Sequence, residues 1–112
     1  MDFEEFWAIG IKLLKTGISA SSDGNNYFIN TWRADKEEVS QRFPVVDASP
    51  RGIGCLSIHA SKNITIPKND MKLLYDIWDS YVDGKISRMD IIEKIPRPTY
   101  CVSLMKHLKD KI

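Results

Sequence analysis

Two cysteines and two histidines are the side chains of this chain best suited to nucleophilic or metal chemistry, and their spacing keeps them apart. Cys55 and His59 fall in a segment of strand-like composition. Four residues at about 3.3 Å each set them roughly 13 Å apart, beyond the reach of a nucleophile and its base. Cys101 and His107 are six residues apart in a segment of helical periodicity, which turns them to different sides. Two Cys–His spacings of four and six, on distant elements, match no zinc pattern. A metal-dependent nuclease needs a carboxylate pair beside a strand lysine, and Lys62 has Ala60 two residues before it. Gly52-Ile53-Gly54 is too short for a phosphate-binding loop and no helical pattern follows it. No catalytic residue, metal ligand or cofactor is expected.

One spacing comes nearer to an ion site. Asp79, Tyr81, Asp83, Ser87 and Asp90 fall at the first, third, fifth, ninth and twelfth positions of a calcium loop, with Gly84 in the middle and Ile86 behind it. Tyr81 cannot replace a carboxylate, Asp90 is shorter than the bidentate glutamate such loops use, and the chain has no second loop to pair with. An exposed helical face explains Asp79 and Asp83, and a helix C-cap explains Gly84.

Charge points to a different chemistry. From residue 85 onward, Lys85, Arg88, Lys94, Arg97, Lys106, Lys109 and Lys111 stand against Asp90, Glu93 and Asp110, a balance of +4 in a chain whose net charge is +1. Residues 67–84 are acidic, with Lys68 and Lys72 against Asp70, Asp76, Asp79 and Asp83. A basic C-terminal segment is what phosphate contacts would use, although a solvated helical face carries the same charges.

The elements that would present those charges are well punctuated. Ser87 followed by Asp90 starts a short helix with Ile91, Ile92 and Ile95 inside; Pro96 and Pro98 close it; Thr99 then caps a last helix with Cys101, Leu104, Met105, Leu108 and Ile112 inside. A short helix, a tight turn and a second helix are the parts of a helix-turn-helix. On this reading Arg97, Thr99, Tyr100, Ser103, Lys106 and Lys109 face a DNA duplex, and Arg88 and Lys94 make outer phosphate contacts. A preceding helix, capped by Asn69 or Asp70, buries Met71, Leu74, Ile77 or Trp78, and Tyr81, and ends at Gly84.

Upstream, Asp2 and Glu5 form a capping-box pattern, and Phe3, Phe6, Trp7, Ile9, Leu13 and Leu14 recur at helical spacing until Gly17. Gly17 to Ala20 is expected to pair as a hairpin with the strand Tyr27 to Trp32, across turn chemistry at Asp23-Gly24-Asn25-Asn26. Residues 34–43 read equally as a short helix or an exposed strand, and Pro44, Pro50 and Gly52 predict a loop. Gly52 to His59 is the next strand, and Ile64-Thr65-Ile66 is a short edge strand ended by Pro67. The expectation is therefore an α+β fold in one domain: a helix and a small antiparallel sheet of two to four strands over residues 1–66, then a helix-turn-helix-like three-helix unit over residues 67–112.

Composition sets the outer bounds. A chain of 112 residues, 43% hydrophobic and 28% charged, suits a single globular domain. No apolar run approaches the roughly 20 residues needed to cross a bilayer. The acidic start, Met1-Asp2-Phe3-Glu4-Glu5, lacks the features of a secretory signal, so a cytoplasmic protein with reduced, buried thiols is expected.

The succession of a leading helix, a Gly-Ile strand, an Asn-rich turn, Ile66-Pro67, a Trp78 helix, Gly84-Lys85-Ile86-Ser87-Arg88 and Arg97-Pro98-Thr99-Tyr100 before a Leu104/Leu108 helix resembles small accessory modules of restriction-system and mobile-element proteins. The likeness spans about residues 10–108 and rests on cap and core signals. It implies a DNA-binding or regulatory role without a catalytic residue. A second reading of the chain is a protein-interaction or inhibitor module. It would act through exposed aromatics or a strand edge near Trp32-Arg33, the edge serving a protein partner or a homodimer.

Overall fold

Asp2 opens the first helix as its type and position require, its carboxylate accepting from the Glu5 amide at 2.9 Å. The computed structural model describes residues 1–21, 27–34 and 41–112. Helix α1 runs Phe3–Ala20 and buries Phe3, Phe6, Trp7, Ile11 and Leu14, leaving Ile9 and Leu13 exposed. Gly17 does not end it. A methyl group there would overlap the Tyr27 ring, so the glycine marks close packing inside the helix. The hairpin expected over Gly17 to Ala20 is therefore replaced by the last turn of α1. The turn expected at residues 23–26 lies outside the described residues.

Four strands follow, β1 (Tyr27–Asn30), β2 (Arg42–Ser49), β3 (Gly52–Leu56) and β4 (Asn63–Pro67), in an antiparallel sheet of order β1-β2-β3-β4. Paired residues share a face. Ile29 with Phe43, Val45 with Cys55, Ile53 with Ile66 and Cys55 with Ile64 all point to the buried side. The expected loop at Pro44 is instead strand. Pro44 pairs with Phe28 of the edge strand, next to a register shift between Val45 and Asp47, a place where a missing N–H is tolerated. The shift leaves Val46 and Asp47 both on the outer side. Of the segment left ambiguous by its charge, residues 35–40 lie outside the described residues, and Arg42 and Phe43 belong to β2.

Helix α2 (Lys68–Val82) begins directly after β4, with Pro67 at its N-cap position and no side-chain cap. Asn69 and Asp70 are inside the helix; its entry is held instead by the Lys68 amide donating to the Arg51 carbonyl at 3.0 Å. Met71, Leu74, Trp78 and Tyr81 form the buried stripe. Gly84, at φ +78°, turns the chain out of α2, a conformation that favours glycine. Asp79 and Tyr81 are helical and Tyr81 is buried, so the calcium-like spacing does not form a loop.

Helix α3 (Arg88–Ile92) has the full Ser87/Asp90 capping box. Ile91 and the following Ile95 are buried, while Ile92 is exposed. Helix α4 (Pro98–Lys111) starts one residue before the expected cap: Arg97 holds the N-cap position and Pro98 the first turn, where a residue without an N–H fits best. Cys101, Val102, Ser103, Leu104, Met105 and Leu108 are buried, and Ile112 is exposed. The three C-terminal helices thus match a helix-turn-helix only loosely, since α3 has 5 residues and α4 has five buried residues in succession.

The helices cover one face of the sheet, and the other carries Phe28, Arg42, Pro44, Val46, Asp47 and Leu56. At Gly52 a methyl group would sit 2.6 Å from the Ile66 carbonyl oxygen, a backbone atom that cannot swing aside. Gly52→Ala is expected to destabilise the fold by about 1–3 kcal/mol. Urea denaturation followed by tryptophan fluorescence measures this, and an unchanged midpoint would refute the packing assigned here.

Candidate functional site

The eight side chains expected to face DNA divide into those the fold has already engaged and those it leaves outside. Ser103 was expected outward and is 1% exposed. Its hydroxyl donates to the Thr99 carbonyl at 2.6 Å and accepts from the Trp32 amide at 3.0 Å, so both its hydrogen-bonding roles are spent inside. Thr99 is half-buried and accepts from Arg88 Nη2. The half-buried Tyr100 stacks edge-on against Phe43, with ring centroids 5.0 Å apart, and its hydroxyl accepts from the Ile58 amide at 3.1 Å.

Lys106 pairs with Asp110 at 2.8 Å and lies 5.2 Å from the centre of the Trp32 ring. Lys109 sits over Tyr75, 4.4 Å from the ring centre, and near Phe6 at 5.3 Å. These are cation–π placements in which the ring face accepts part of the charge. Lys94 and Arg97 are exposed and make no ion pair among the described residues.

The Tyr100–Ile58 hydrogen bond has a wider effect. Ile58 lies in the β3–β4 loop, which closes on itself through the Ser57 amide and the Lys62 carbonyl at 2.8 Å, and through Ser57 Oγ and the Lys62 amide at 3.0 Å. The first turn of α4 is thereby tied to this loop. His59 and Lys62 are exposed on this loop, and Lys94 and Arg97 are exposed in the segment that leads into α4. None of the four is ion-paired among the described residues. Neither His59 nor Lys62 was singled out from sequence as a contact, because their neighbourhood to α4 is made by a tertiary bond with no local pattern.

The nucleophile candidates sit elsewhere. Cys55 and Cys101 are fully buried free thiols. Burial pushes Cys55 up to about 11 and Cys101 up to about 12, with the Arg97 charge opposing both shifts. A thiol so protonated is a poor nucleophile. His59 is exposed in a turn and His107 lies on α4 beside Tyr27, so neither pairs with a cysteine. Among the described residues no group of three or more His, Cys, Asp and Glu is arranged to hold a metal ion. No helix among them is long and apolar enough to cross a membrane.

A polar recess of about 190 Å³ lies between the end of β1 and α4, bounded by Asn30, Trp32, Ser103, Lys106, His107 and Asp110. Trp32 is half-buried there, packed on Trp78 and Tyr81 at centroid distances of 5.7 and 6.3 Å. Trp32-Arg33 thus contributes a ring to the interior more than an anchor to the surface. His107 Nε2 and the Tyr27 hydroxyl are 2.8 Å apart.

No family model, curated protein or solved structure matches this chain. What the site does must be read from its own geometry.

Burial lowers the His107 pKa from its ordinary 6.5, with Lys111 adding to the effect and Asp110 opposing it. The folded state therefore binds the His107 proton less readily than the unfolded chain does, and its contribution to stability is complete above about pH 6.5. It is lost as pH falls from there toward the lower folded value. Urea midpoints measured between pH 7.5 and about 5 should fall with pH, and His107→Gln should flatten that slope. An equal slope in the variant would show that His107 titrates alike in both states.

Proposed function

We propose that this chain is a non-catalytic DNA-binding domain, and that it meets the duplex at the end where the α3–α4 turn lies beside the β3–β4 loop. Lys62, Lys94 and Arg97 would neutralise phosphates there, with His59 as a further nitrogen donor. The observation that supports the reading is the Tyr100–Ile58 hydrogen bond, which ties the loop carrying His59 and Lys62 to the first turn of α4, the helix that Arg97 precedes. The resemblance to accessory modules of restriction-system and mobile-element proteins points the same way, and a cytoplasmic setting suits the two free thiols.

The contact surface differs from a recognition helix laid in the major groove. Thr99, Tyr100, Ser103, Lys106 and Lys109 are engaged within the fold, so few side chains of α4 remain to read base edges. Contacts limited to phosphates position a protein without specifying sequence. The expected behaviour is weak sequence preference and steep salt dependence.

Fluorescence anisotropy of a labelled mixed-sequence duplex tests this directly. Wild-type protein should bind at low salt, and the slope of log K against log salt should shrink by about two in the Lys62→Ala/Arg97→Ala double variant. Lys106→Ala should leave the slope unchanged. Absence of binding by the wild type at low salt would overturn the proposal.

A second reading, a protein-interaction module, is favoured by the uncovered face of the sheet. Phe28 is 37% and Val46 41% exposed, beside half-buried Pro44 and Leu56, and the Arg42 guanidinium lies 4.1 Å over the Phe28 ring. Apolar side chains gathered on one face with a charged rim suit a protein partner or a second copy of the chain. Val46→Asp would then abolish concentration-dependent association in sedimentation, while leaving DNA binding intact. A wild-type chain that stays monomeric at all concentrations and captures no partner would remove this reading.

A further inference from the structure

A cavity of about 260 Å³ lies where α2 gives way to α3, bounded by Ala34, Tyr81, Val82, Ile86, Ser87 and Arg88. Its shape comes from Gly84, after which the Lys85 and Ile86 amides both donate to the Ser80 carbonyl, at 2.9 and 3.3 Å. The chain is thus folded back before Ser87 starts the next helix, and the gap between the two helices is walled on one side by Val82 and Ile86.

Two donors on residues that bound this cavity have no acceptor among the described residues. Arg88 Nη2 donates to Thr99 Oγ1, but Arg88 Nη1 is buried and has no acceptor. Arg88 makes no ion pair among the described residues. Tyr81, also buried, accepts from the Ala34 amide at 3.2 Å through its hydroxyl and donates its own proton to no acceptor among the described residues. Ser87 is the remaining polar wall, and its hydroxyl is committed to Asp90 through both the Asp90 amide and Oδ2. Among the described residues that bound the cavity, Arg88 is a cation, Tyr81 has a hydroxyl proton to give, none is a carboxylate, and the rest of the wall apart from Ser87 is apolar. A buried charged donor without an acceptor is costly, and structures rarely leave one without a reason.

We propose that this cavity is a binding site for a small monocarboxylate with a short aliphatic or aromatic body. One carboxylate oxygen accepts from the Arg88 guanidinium and the other from the Tyr81 hydroxyl, while the body lies against Val82 and Ile86. Planar carboxylates match the guanidinium fork, and the apolar walls separate such a ligand from a fully hydrated anion such as phosphate. The site is independent of DNA binding.

The probe is benzoate, titrated into the full chain at neutral pH and followed by amide chemical shifts in two-dimensional NMR. Benzamide, its neutral analogue, and inorganic phosphate serve as comparisons. Benzoate should shift the amides of Val82, Ile86 and Ser87 with a Kd on the order of 1 mM or below, and both comparison compounds should bind at least about tenfold more weakly. Arg88→Met should abolish the shifts. Because that variant also loses the Thr99 contact, Val82→Asp supplies a second check: Val82 is exposed at the cavity wall, so the fold is retained while the added charge repels the carboxylate. Binding in Val82→Asp should be weakened by roughly tenfold. Benzoate and benzamide titrating alike, phosphate binding as tightly as benzoate, or no shift at these amides would each overturn the proposal.

Discussion

Helix α4 can be buried at five consecutive positions, Cys101 to Met105, only if protein surrounds it on more than one side. A surface helix buries one stripe, three or four positions in every two turns. Here the inner face of the sheet, α2 and α3 enclose the first half of α4. The polar member of the run, Ser103, is accommodated because it bridges the Thr99 carbonyl to the Trp32 amide. That bridge also holds the chain leaving β1, which brings Trp32 onto Trp78 and Tyr81 and sets Ala34 against the Tyr81 hydroxyl. Much of the C-terminal architecture depends on this one helix being an interior element.

An interior α4 changes what its charges are for. Lys106 and Lys109 cover aromatic rings, a use of long side chains whose stems are as important as their charged ends. On α2, Lys72 does the same over the Phe3 ring of α1, at 5.8 Å from its centre, while pairing with Asp76. Such placements shield apolar ring surface from water. Lys62, Lys94 and Arg97, by contrast, are exposed in the segments between elements and have no ion pair among the described residues. The proposed DNA surface thus rests on segments between elements, with the helix acting as the support behind them.

Local chemistry was legible in the chain wherever a residue acts on its immediate neighbours. Asp2 with Glu5, Ser87 with Asp90, and Gly84 after α2 are signals complete within a few positions, and each does what its type suggests. The apolar periodicity of Met71, Leu74, Trp78 and Tyr81 was equally direct. Reading failed where a distant partner decides. Gly17 looks like a helix terminator until the Tyr27 ring is placed against it, and Pro44 looks like a loop residue until its edge-strand partner is known. Ser103 and the α4 lysines look solvent-facing because polarity is read as exposure, although a buried serine with both bonds satisfied costs little. For the candidate site, Arg97 and Lys94 were visible as charges. Lys62 and His59 were not, because the bond that brings their loop to α4 joins residues 42 positions apart.

The sheet connects every strand to its neighbour in the chain, in the order β1-β2-β3-β4. Each pairing closes a short stretch of backbone, so the entropy lost in bringing any two strands together is small. The distant closures are made by helices: Trp7 reaches the Pro50 carbonyl, and Tyr75 reaches the Met1 carbonyl across 74 positions. During synthesis the whole meander emerges before α2, α3 and α4 exist. Local pairing of this kind favours fast formation and leaves few ways to pair the strands wrongly.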